Sequence, residues 1–267
     1  MSFTQLLPIL KGVLKMITVK NIYDFINSLA PFETQEKWDN SGMLVGDISK
    51  EVKVIAVCLD ITCDTIFKAK QNNADVIISH HPVIFNPLKK ILKGDIVFEL
   101  LQSNISAICA HTNFDLASGG VNDVLAQLLG LEDISILKSS DDSEFLRIGT
   151  IKPMSPNDFA KLVATKLRTT VRLAKGANEI SKVAVCGGSG CSFMGDVISA
   201  NAHAFVTGDA KHNDFLDAKN DGLTLVAAGH YETENPSMPV LAQKIKTQFP
   251  TTDVVYIDSL PTEFVTC

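Results

Sequence analysis

The sequence predicts an α/β protein made of two similar units, each with a largely parallel or mixed sheet flanked by helices. Short apolar runs alternate with amphipathic helical segments along the chain, which is the pattern of βαβ units. The two halves also repeat one another: KVIAVCLD at 53–60 parallels KVAVCGGS at 182–189, and ADVIISHHP at 74–82 parallels AHAFVTGDA at 202–210. The identity between the halves is low, but these parallels favour an internal duplication over chance similarity.

The first unit is predicted to cover residues 16–131. Thr18 is a typical N-cap and Pro31 a typical helix stop, so the first helix should end near Ala30. After a loop that contains WDNSGMLVGD, the predicted elements are a strand at 52–59, a helix at 64–73, a strand at 75–79, a helix at about 95–103, a strand at 105–110 and a helix after Gly119 and Gly120.

The second unit is predicted to cover residues 132–267, interlocked with the first so that the two share one site. Its first residues, 132–145, are polar and acidic without a strong period, so they are predicted to form the boundary. The predicted elements are a strand at 147–151, a helix at 156–166, a strand at 182–186, a helix after Gly190, strands at 204–207 and 223–228 with a helix at 214–219 between them, a helix from Pro236 and a strand at 253–257.

Composition restricts the classes of function. The 267 residues are 46% hydrophobic and 20% charged, as in an ordinary globular protein, and no apolar run approaches the roughly 20 residues needed to span a membrane. A net charge of -6 disfavours binding to nucleic acid or to an anionic membrane. The six cysteines form no C-x-x-C pair and most lie in apolar runs, so a reducing, cytoplasmic location is expected. Residues 1–15 are interpreted as a dispensable extension or an upstream start, with a weak targeting segment as the alternative.

Four of the six histidines directly follow apolar strands, and two carboxylates lie on the turns after them. They are His80, His81, His111 and His230, with Asp115 and Glu234. Ligands of open α/β sheets collect beyond the carboxyl ends of strands, so these side chains are expected to converge. A single strand-end histidine is more often structural than a ligand, but the set as a whole favours a site.

The residue types indicate a metal centre. Successive side chains point in different directions, so His80 and His81 suit one ligand to each of two ions, which Asp115 or Glu234 would bridge. Imidazole and carboxylate together suit zinc, iron or manganese, whereas calcium and magnesium prefer oxygen ligands. Two divalent ions per subunit are therefore expected.

Four motifs carry a resemblance to a known family. WDNSGMLVGD, SHHPVIF, HTNFDLASGGVND and GHYETE, in that order, resemble the Nif-three-like family of dinuclear-metal proteins, often described as type two GTP cyclohydrolase I, and they span 38–234. The resemblance implies a toroidal homohexamer with sites that face an inner cavity. It also implies five metal ligands, which fall here on His80, His81, Asp115, His230 and Glu234.

Two assignments near these motifs have alternatives. Glu232 competes with Glu234 as a ligand, but both His111 with Asp115 and His230 with Glu234 are four residues apart, which favours Glu234. His111 holds the place in the first half that His230 holds in the second. It is therefore the candidate catalytic residue, to orient a ligand, touch substrate or relay protons, with a purely structural role as the alternative.

The segment TGDAKHNDFLDA resembles a family segment that often carries two adjacent histidines. Here only His212 is present, and Asn213 stands at the second position, which puts in doubt any essential proton transfer there. Asp209 and His212 are interpreted either as site-lining residues or as a solvated helix start. His203 lies within a strand pattern and is interpreted as structural.

Two glycine-containing segments have a functional and a structural interpretation. Trp38, Asn40 and Gly42 match the family motif and would shape a pocket wall, contact a base or phosphate or, as is more often the case for such a tight loop, determine the fold. The segment GGSG at 187–190 is either a phosphate cradle or, as we favour, a structural turn.

The leading functional hypothesis is hydrolysis by water that two ions activate. The resemblance implies GTP or a related nucleotide as the substrate, with attack at C8 of guanine, and a phosphate ester is the competing substrate. The alternative from another class is a metal-binding regulatory or protein-interaction scaffold without catalysis.

Overall fold

The computed structural model describes residues 16–259 as an α/β fold with two sheets flanked by helices, which confirms the predicted fold class. The predicted extension at 1–15 lies outside the described residues. No helix within 16–259 combines the length and the apolar character needed to cross a bilayer.

The helices and strands are short. The helices are α1 (Val19–Leu29), α2 (Cys63–Gln71), α3 (Ile96–Gln102), α4 (Thr112–Leu116), α5 (Val121–Leu128), α6 (Pro156–Leu167), α7 (Met194–Ser199), α8 (His212–Asn220), α9 (His230–Glu234) and α10 (Ser237–Gln248). The strands are β1 (Gly42–Val45), β2 (Val54–Cys58), β3 (Val76–Ser79), β4 (Ser106–Cys109), β5 (Glu132–Leu137), β6 (Leu146–Met154), β7 (Arg172–Ala174), β8 (Ile180–Cys186), β9 (Ala204–Thr207), β10 (Thr224–Ala227) and β11 (Asp253–Tyr256).

The first sheet has the order β1-β4-β3-β2-β11, with β1 antiparallel to β4 and the other pairs parallel. Every residue of β3 and β4 is buried, as expected of parallel strands covered on both faces. Residues Ile55 and Val57 of β2 face the cluster that contains α1 and α10, whereas Ala56 faces the cluster that contains α2 and α3. Apolar side chains on both faces of β2 therefore hold helices on both sides of the sheet.

The second sheet has the order β5-β6-β8-β9-β10-β7. Its centre, β8-β9-β10, repeats the parallel arrangement of β2-β3-β4, and β7 pairs antiparallel with β10 as β1 pairs with β4. This shared topology is consistent with the repeated sequence segments. Leu125 of α5 and Leu129, which directly follows that helix, pack with Phe159 of α6 in a core of the second sheet. Strand β11 pairs with β2 of the first sheet. The chain therefore passes from the first sheet to the second and returns to the first at β11.

A buried arginine joins the second sheet to the segment between α4 and α5. Arg147 of β6 is 2% exposed, pairs with Asp123 of α5, and donates a hydrogen bond to the carbonyl of Leu116 on α4 (2.9 Å). The Asp123 carboxylate in turn accepts a hydrogen bond from the amide of Gly119 (2.6 Å). These bonds fix the loop between α4 and α5 against the second sheet, and a buried charge of this kind stays favourable only when it is fully paired.

Several elements differ from the sequence prediction. The structure places β1 inside the segment predicted as a loop, and β5 inside the polar segment 132–145. Strand β5 is an edge strand whose residues are mostly exposed, so it carries no apolar alternation to reveal it. Helices α4 and α9 have five residues each, which is too short for a helical period to show in a sequence. Strand β7 has only three residues, which is too short to show an alternating pattern.

Candidate metal centre

The carboxyl end of β3 presents two adjacent histidines at the middle of the first sheet. His80 is fully buried, and its Nδ1 lies 2.9 Å from the carbonyl oxygen of Ala110, at the end of β4. Because a carbonyl only accepts, Nδ1 carries the proton and Nε2 is left with its lone pair. The imidazole of His81 is tilted 45° to that of His80, with ring centroids 5.0 Å apart.

The two carboxylates come from the one-turn helices that follow β4 and β10. Helix α4 begins after His111 and carries Asp115, and α9 begins at His230 and carries Glu234. Residues four apart share one face of a helix, so His230 and Glu234, both within α9, point the same way. His230 Nε2 lies 3.1 Å from Glu234 Oε2. His111 precedes α4 with non-helical backbone angles, so the four-residue spacing translates into a shared direction only in the second half.

All five predicted ligands converge. Glu234 Oε2 lies 3.0 Å from His81 Nε2, and His80 Nε2 lies 3.5 Å from Asp115 Oδ1 and 3.9 Å from Glu234 Oε2. Two groups of three potential ligand atoms form, each within 4.8 Å, and Glu234 belongs to both. They are His81, His230 and Glu234, and His80, Asp115 and Glu234. His111 joins a third group with His80 and His81.

The bonding of these atoms fits a metal ion. His80 Nε2 and Glu234 Oε2 are buried and have no hydrogen-bond partner, although Oε2 lies close to the Nε2 atoms of His81 and His230. Ligand atoms that each lie about 2.0–2.2 Å from one ion are themselves roughly 3 Å apart, so the spacing agrees with a shared cation. A divalent ion would satisfy the lone pairs of these two buried atoms.

Each of the three partly exposed histidines is held by an aspartate at Nδ1. The Nδ1-to-carboxylate distance is 2.7 Å in all three pairs, which are His81 with Asp60, His111 with Asp39, and His230 with Asp209. A carboxylate in this position fixes the proton on Nδ1 and turns Nε2 towards the cluster, as is usual for metal-binding histidines. Of these three carboxylates, only Asp209 is among the residues that the sequence predicts to line the site. Asp60 directly follows the strand KVIAVCL, and Asp39 lies inside the motif WDNSG. The position of each carboxylate, at a strand end or within a family motif, is the sequence signal that could have identified it.

Replacing one of these carboxylates tests their role. We expect Asp60→Asn to weaken metal binding about 10- to 100-fold, because an amide does not hold the proton on His81 Nδ1 as firmly as a carboxylate does. Competition with a chelator measures the change. Asp64→Asn is the matched control, since Asp64 is an exposed residue of α2 that pairs with Lys68. Equal affinities for the two variants would contradict the expectation.

Burial and charge act in opposite directions within the cluster. Burial lowers the pKa of His80 to about 3. Burial also acts to lower the pKa of His81, but the carboxylates on either side outweigh it and raise that pKa to about 10. The Glu234 carboxylate raises the pKa of His230 to about 9. Burial raises the pKa of Asp115 well above its usual range, whereas at Glu234 the imidazoles outweigh burial and lower the pKa. Protonated His81 and His230 thus balance Glu234, and a divalent cation would take over that role.

The remaining candidates are placed as follows. Glu232 is half-buried beside Thr169, with 3.4 Å between Oε1 and the hydroxyl, and belongs to none of the three groups. His212 and Asn213 are exposed on α8. The Nδ1 of His203 accepts a hydrogen bond from the amide of Ser181 (3.2 Å), as its structural interpretation predicts.

The segment GGSG forms a turn against the cluster. Gly188 has φ +59°, and a Cβ built there would lie 2.2 Å from Glu234 Oε1. Its amide donates to the hydroxyl of Thr233 (3.1 Å), and its carbonyl accepts from the amide of Asp209 (2.9 Å). The turn thus leaves room for the Glu234 carboxylate, a role that the sequence analysis did not identify.

The WDNSG motif forms the wall beside His111. Trp38 is 59% exposed, and its ring centroid lies 6.2 Å from that of His111 and 6.0 Å from that of Phe85. The Asn40 side chain donates to the carbonyl of Ile84 (2.6 Å), which ties the motif to the segment after the paired histidines. Asn40 is therefore a structural residue, whereas Trp38 borders the open space next to the cluster.

Two clefts reach the cluster from different sides. The larger, of about 470 Å³, has His111, Asp115, His230 and Glu234 at its floor. The smaller, of about 380 Å³, is lined by His81 and His230 together with Asp60 and Tyr231. Both volumes lie in the range of small-molecule sites, which is roughly 300–1,000 Å³.

Fold and site together define an α/β protein with a candidate metal centre built from the strand ends of two similar sheets. Residues 17–262 match the family model described as Duf34/NIF3 (NGG1p interacting factor 3), and the chain belongs to this family. The resemblance predicted from the four motifs is thereby confirmed.

Individual relatives cover nearly the whole chain. A Clostridium perfringens protein named GTP cyclohydrolase 1 type 2 homolog is 34% identical over 92% of this chain and 99% of its own length. A Helicobacter pylori protein named GTP cyclohydrolase 1 type 2 is 33% identical over 85% of this chain and 91% of its own. The crystal structure of a Staphylococcus aureus hypothetical protein superposes with a TM-score of 0.83 at 27% identity, over 93% of this chain and 99% of that one.

Proposed function

We propose that this protein is a metal-dependent hydrolase that acts on a nucleotide. The observation that carries the proposal is the position of Glu234, whose buried side chain belongs to both groups of potential ligands. The names of the relatives support a nucleotide substrate, because the Helicobacter pylori protein is called a GTP cyclohydrolase. Opening of the guanine ring of GTP by water is the specific form of the proposal.

The five converging residues would hold two divalent ions. One would be held by His81 and His230, the other by His80 and Asp115, and Glu234 would bridge them. Zinc, iron and manganese accept this mixture of imidazole and carboxylate ligands. When bound, such ions polarise a substrate oxygen and lower the pKa of water towards neutrality.

The side chains around the cluster orient ligands and move protons. Asp60 and Asp209 hold the imidazoles of His81 and His230 with Nε2 turned inward. Asp39 holds His111 in the same way, and His111 also lies at the floor of the larger cleft. With its proton fixed on Nδ1, His111 has Nε2 available to accept a proton from water and return it to a leaving nitrogen or oxygen.

A substitution at His111 separates proton transfer from metal binding. We expect His111→Gln to lower turnover about 10²- to 10⁴-fold, the usual contribution of a general acid or base, while the protein keeps its metal content. Elemental analysis of the purified variant and its turnover rate are the two measurements. A variant that loses metal as well would make His111 a third imidazole ligand, beside His80 and His81, and not a proton carrier.

The proposal as a whole is tested by metal removal and restoration. The purified protein is treated with a chelator, reloaded separately with zinc, iron(II) or manganese, and incubated with GTP, other nucleotides and a phosphate monoester, with products separated by chromatography. Metal-dependent release of formate or of a ring-opened product from GTP supports the proposal. Release of phosphate alone would indicate a phosphoesterase, and saturable metal binding without any product would favour a regulatory or interaction scaffold.

We also propose that the chain assembles into a toroidal homohexamer, as the family resemblance implies. An exposed apolar segment, 82–95, supports a contact with a second copy, because Phe85, Leu88 and Leu92 are each about half exposed. The same segment carries three exposed lysines, Lys89, Lys90 and Lys93, which suit the acidic surface of another copy of net charge -6. Light scattering of the wild type and of Leu92→Asp tests this, since an unchanged mass would remove the segment from the interface.

A further inference from the structure

We infer that the larger cleft accepts the uncharged heterocyclic part of its ligand, a nucleobase or nucleoside, and does not recognise a triphosphate. This inference rests on the proposed function, because it identifies the substrate class of the same site. It stands on the charge, the aromatic surface and the floor of the cleft.

The walls of the cleft are acidic. Glu36, Asp141 and Asp196 line it, and within residues 16–259 its lining includes no lysine or arginine. The Asp196 carboxylate accepts a hydrogen bond from the amide of Ser140 (2.9 Å), and Asp141 accepts one from the hydroxyl of Ser139, so the loop that carries Asp141 is anchored. Phosphate sites in proteins normally use arginine, lysine or helix N-termini, whereas carboxylates facing one another repel an anion.

An adjoining cleft extends the acidic surface. It shares Glu36 and Asp141 with the larger cleft and adds Asp142 and Glu144, and its lining includes one lysine, Lys37. Glu144 is paired with Lys138 (2.8 Å), so a triphosphate that left the cluster in this direction would pass three other carboxylates and one lysine. The two ions proposed for the floor would attract a short anionic group there, but they do not offset the repulsion along the rim.

Aromatic rings supply the surface that a planar ligand needs. Trp38 lines one part of the cleft, and Phe145 and Phe193 line another, where they stack with ring centroids 5.7 Å apart. Any nucleobase can stack on such rings, because every base has a π face. At the floor, the buried Glu234 belongs to the candidate metal centre, so a planar ligand held by these rings would lie beside the ions proposed there.

The test uses the metal-loaded, full-length protein and its own fluorescence. Trp38 is the single tryptophan of the sequence and lies in the cleft, so its emission reports directly on occupancy. The protein is titrated with guanosine and with GTP at 50 and 300 mM salt. We expect guanosine to bind at least about tenfold more tightly than GTP, with no salt dependence, and GTP binding to improve as salt screens the rim.

Variants that remove charge without changing shape give the second measurement. The triple variant Glu36→Gln, Asp141→Asn, Asp196→Asn is expected to bind GTP at least about tenfold more tightly and guanosine within twofold of the wild type. The matched control, Asp24→Asn, Glu51→Gln, Asp64→Asn, changes the net charge equally at exposed positions outside the cleft and should leave both affinities unchanged.

The outcomes separate this inference from the proposed function. GTP that binds more tightly than guanosine, and less tightly as salt rises, overturns the inference, because cationic groups then recognise the phosphates. Metal-dependent turnover together with that result leaves the proposed function standing. Guanosine that binds more tightly than GTP without any turnover supports the inference and contradicts the proposed function.

Discussion

Glu234→Gln is expected to reduce metal-dependent turnover by more than about 100-fold and to lower the metal content of the purified protein. Oε2 of this residue lies 3.0 Å from His81 Nε2 and 3.1 Å from His230 Nε2, and the side chain belongs to both groups of potential ligands. An amide keeps the shape but loses the negative charge that two divalent ions share. Loss of a residue that supports a metal ligand lowers metal affinity or activity about 10- to 100-fold. Loss of a bridging ligand should therefore lower them further.

Glu232→Gln is the matched control for this experiment. Glu232 lies on the same one-turn helix and is half-buried, but it contacts Thr169 and not the cluster. We expect full metal content and nearly full turnover in this variant. A Glu234→Gln protein that retains two ions would contradict the bridging assignment, and a Glu232→Gln protein that loses them would revive the alternative ligand.

The sequence was sufficient to predict the central strands because parallel strands are buried on both faces. The runs that became β3, β4 and β9 are buried throughout, and a polar residue of the site follows each within two positions, namely His80, His111 and Asp209. Strand β11 was predicted as a strand, but its pairing with β2 was not, because pairing between segments about 200 residues apart depends on tertiary packing. The exposed edge strand β5 left no apolar pattern at all.

The sequence predicts the site residues whose positions follow from their spacing along the chain. It does not predict contacts that depend on how remote segments pack together. The strand-end histidines and the acids four residues after them were identified from these rules alone. Asp39 lies 2.7 Å from His111 although the two are 72 residues apart, and the contact depends on how the WDNSG loop packs against β4. Gly188 was assigned to a turn, but its proximity to Glu234 arises from the docking of α9 against that turn.

Gly188→Ala is expected to weaken metal binding by more than about 100-fold while the protein remains folded. The added Cβ would lie 2.2 Å from Glu234 Oε1, and the carboxylate, as the end of a flexible side chain, would have to move. Gly188 has φ +59°, a left-handed conformation that costs an alanine roughly 1–2 kcal/mol. That cost is small beside a typical stability of about 5–15 kcal/mol, so the loss should fall on the metal and not on the fold.

Gly195→Ala provides the comparison, because a Cβ at this position of α7 meets nothing within 4 Å. An alanine there should stabilise the helix by about 0.5–1 kcal/mol and leave metal affinity unchanged. Thermal unfolding and chelator competition on both variants separate the two effects. If Gly188→Ala binds metal as tightly as Gly195→Ala, the Glu234 carboxylate does not need the position it holds beside the turn, and its assignment as the bridging ligand fails with it.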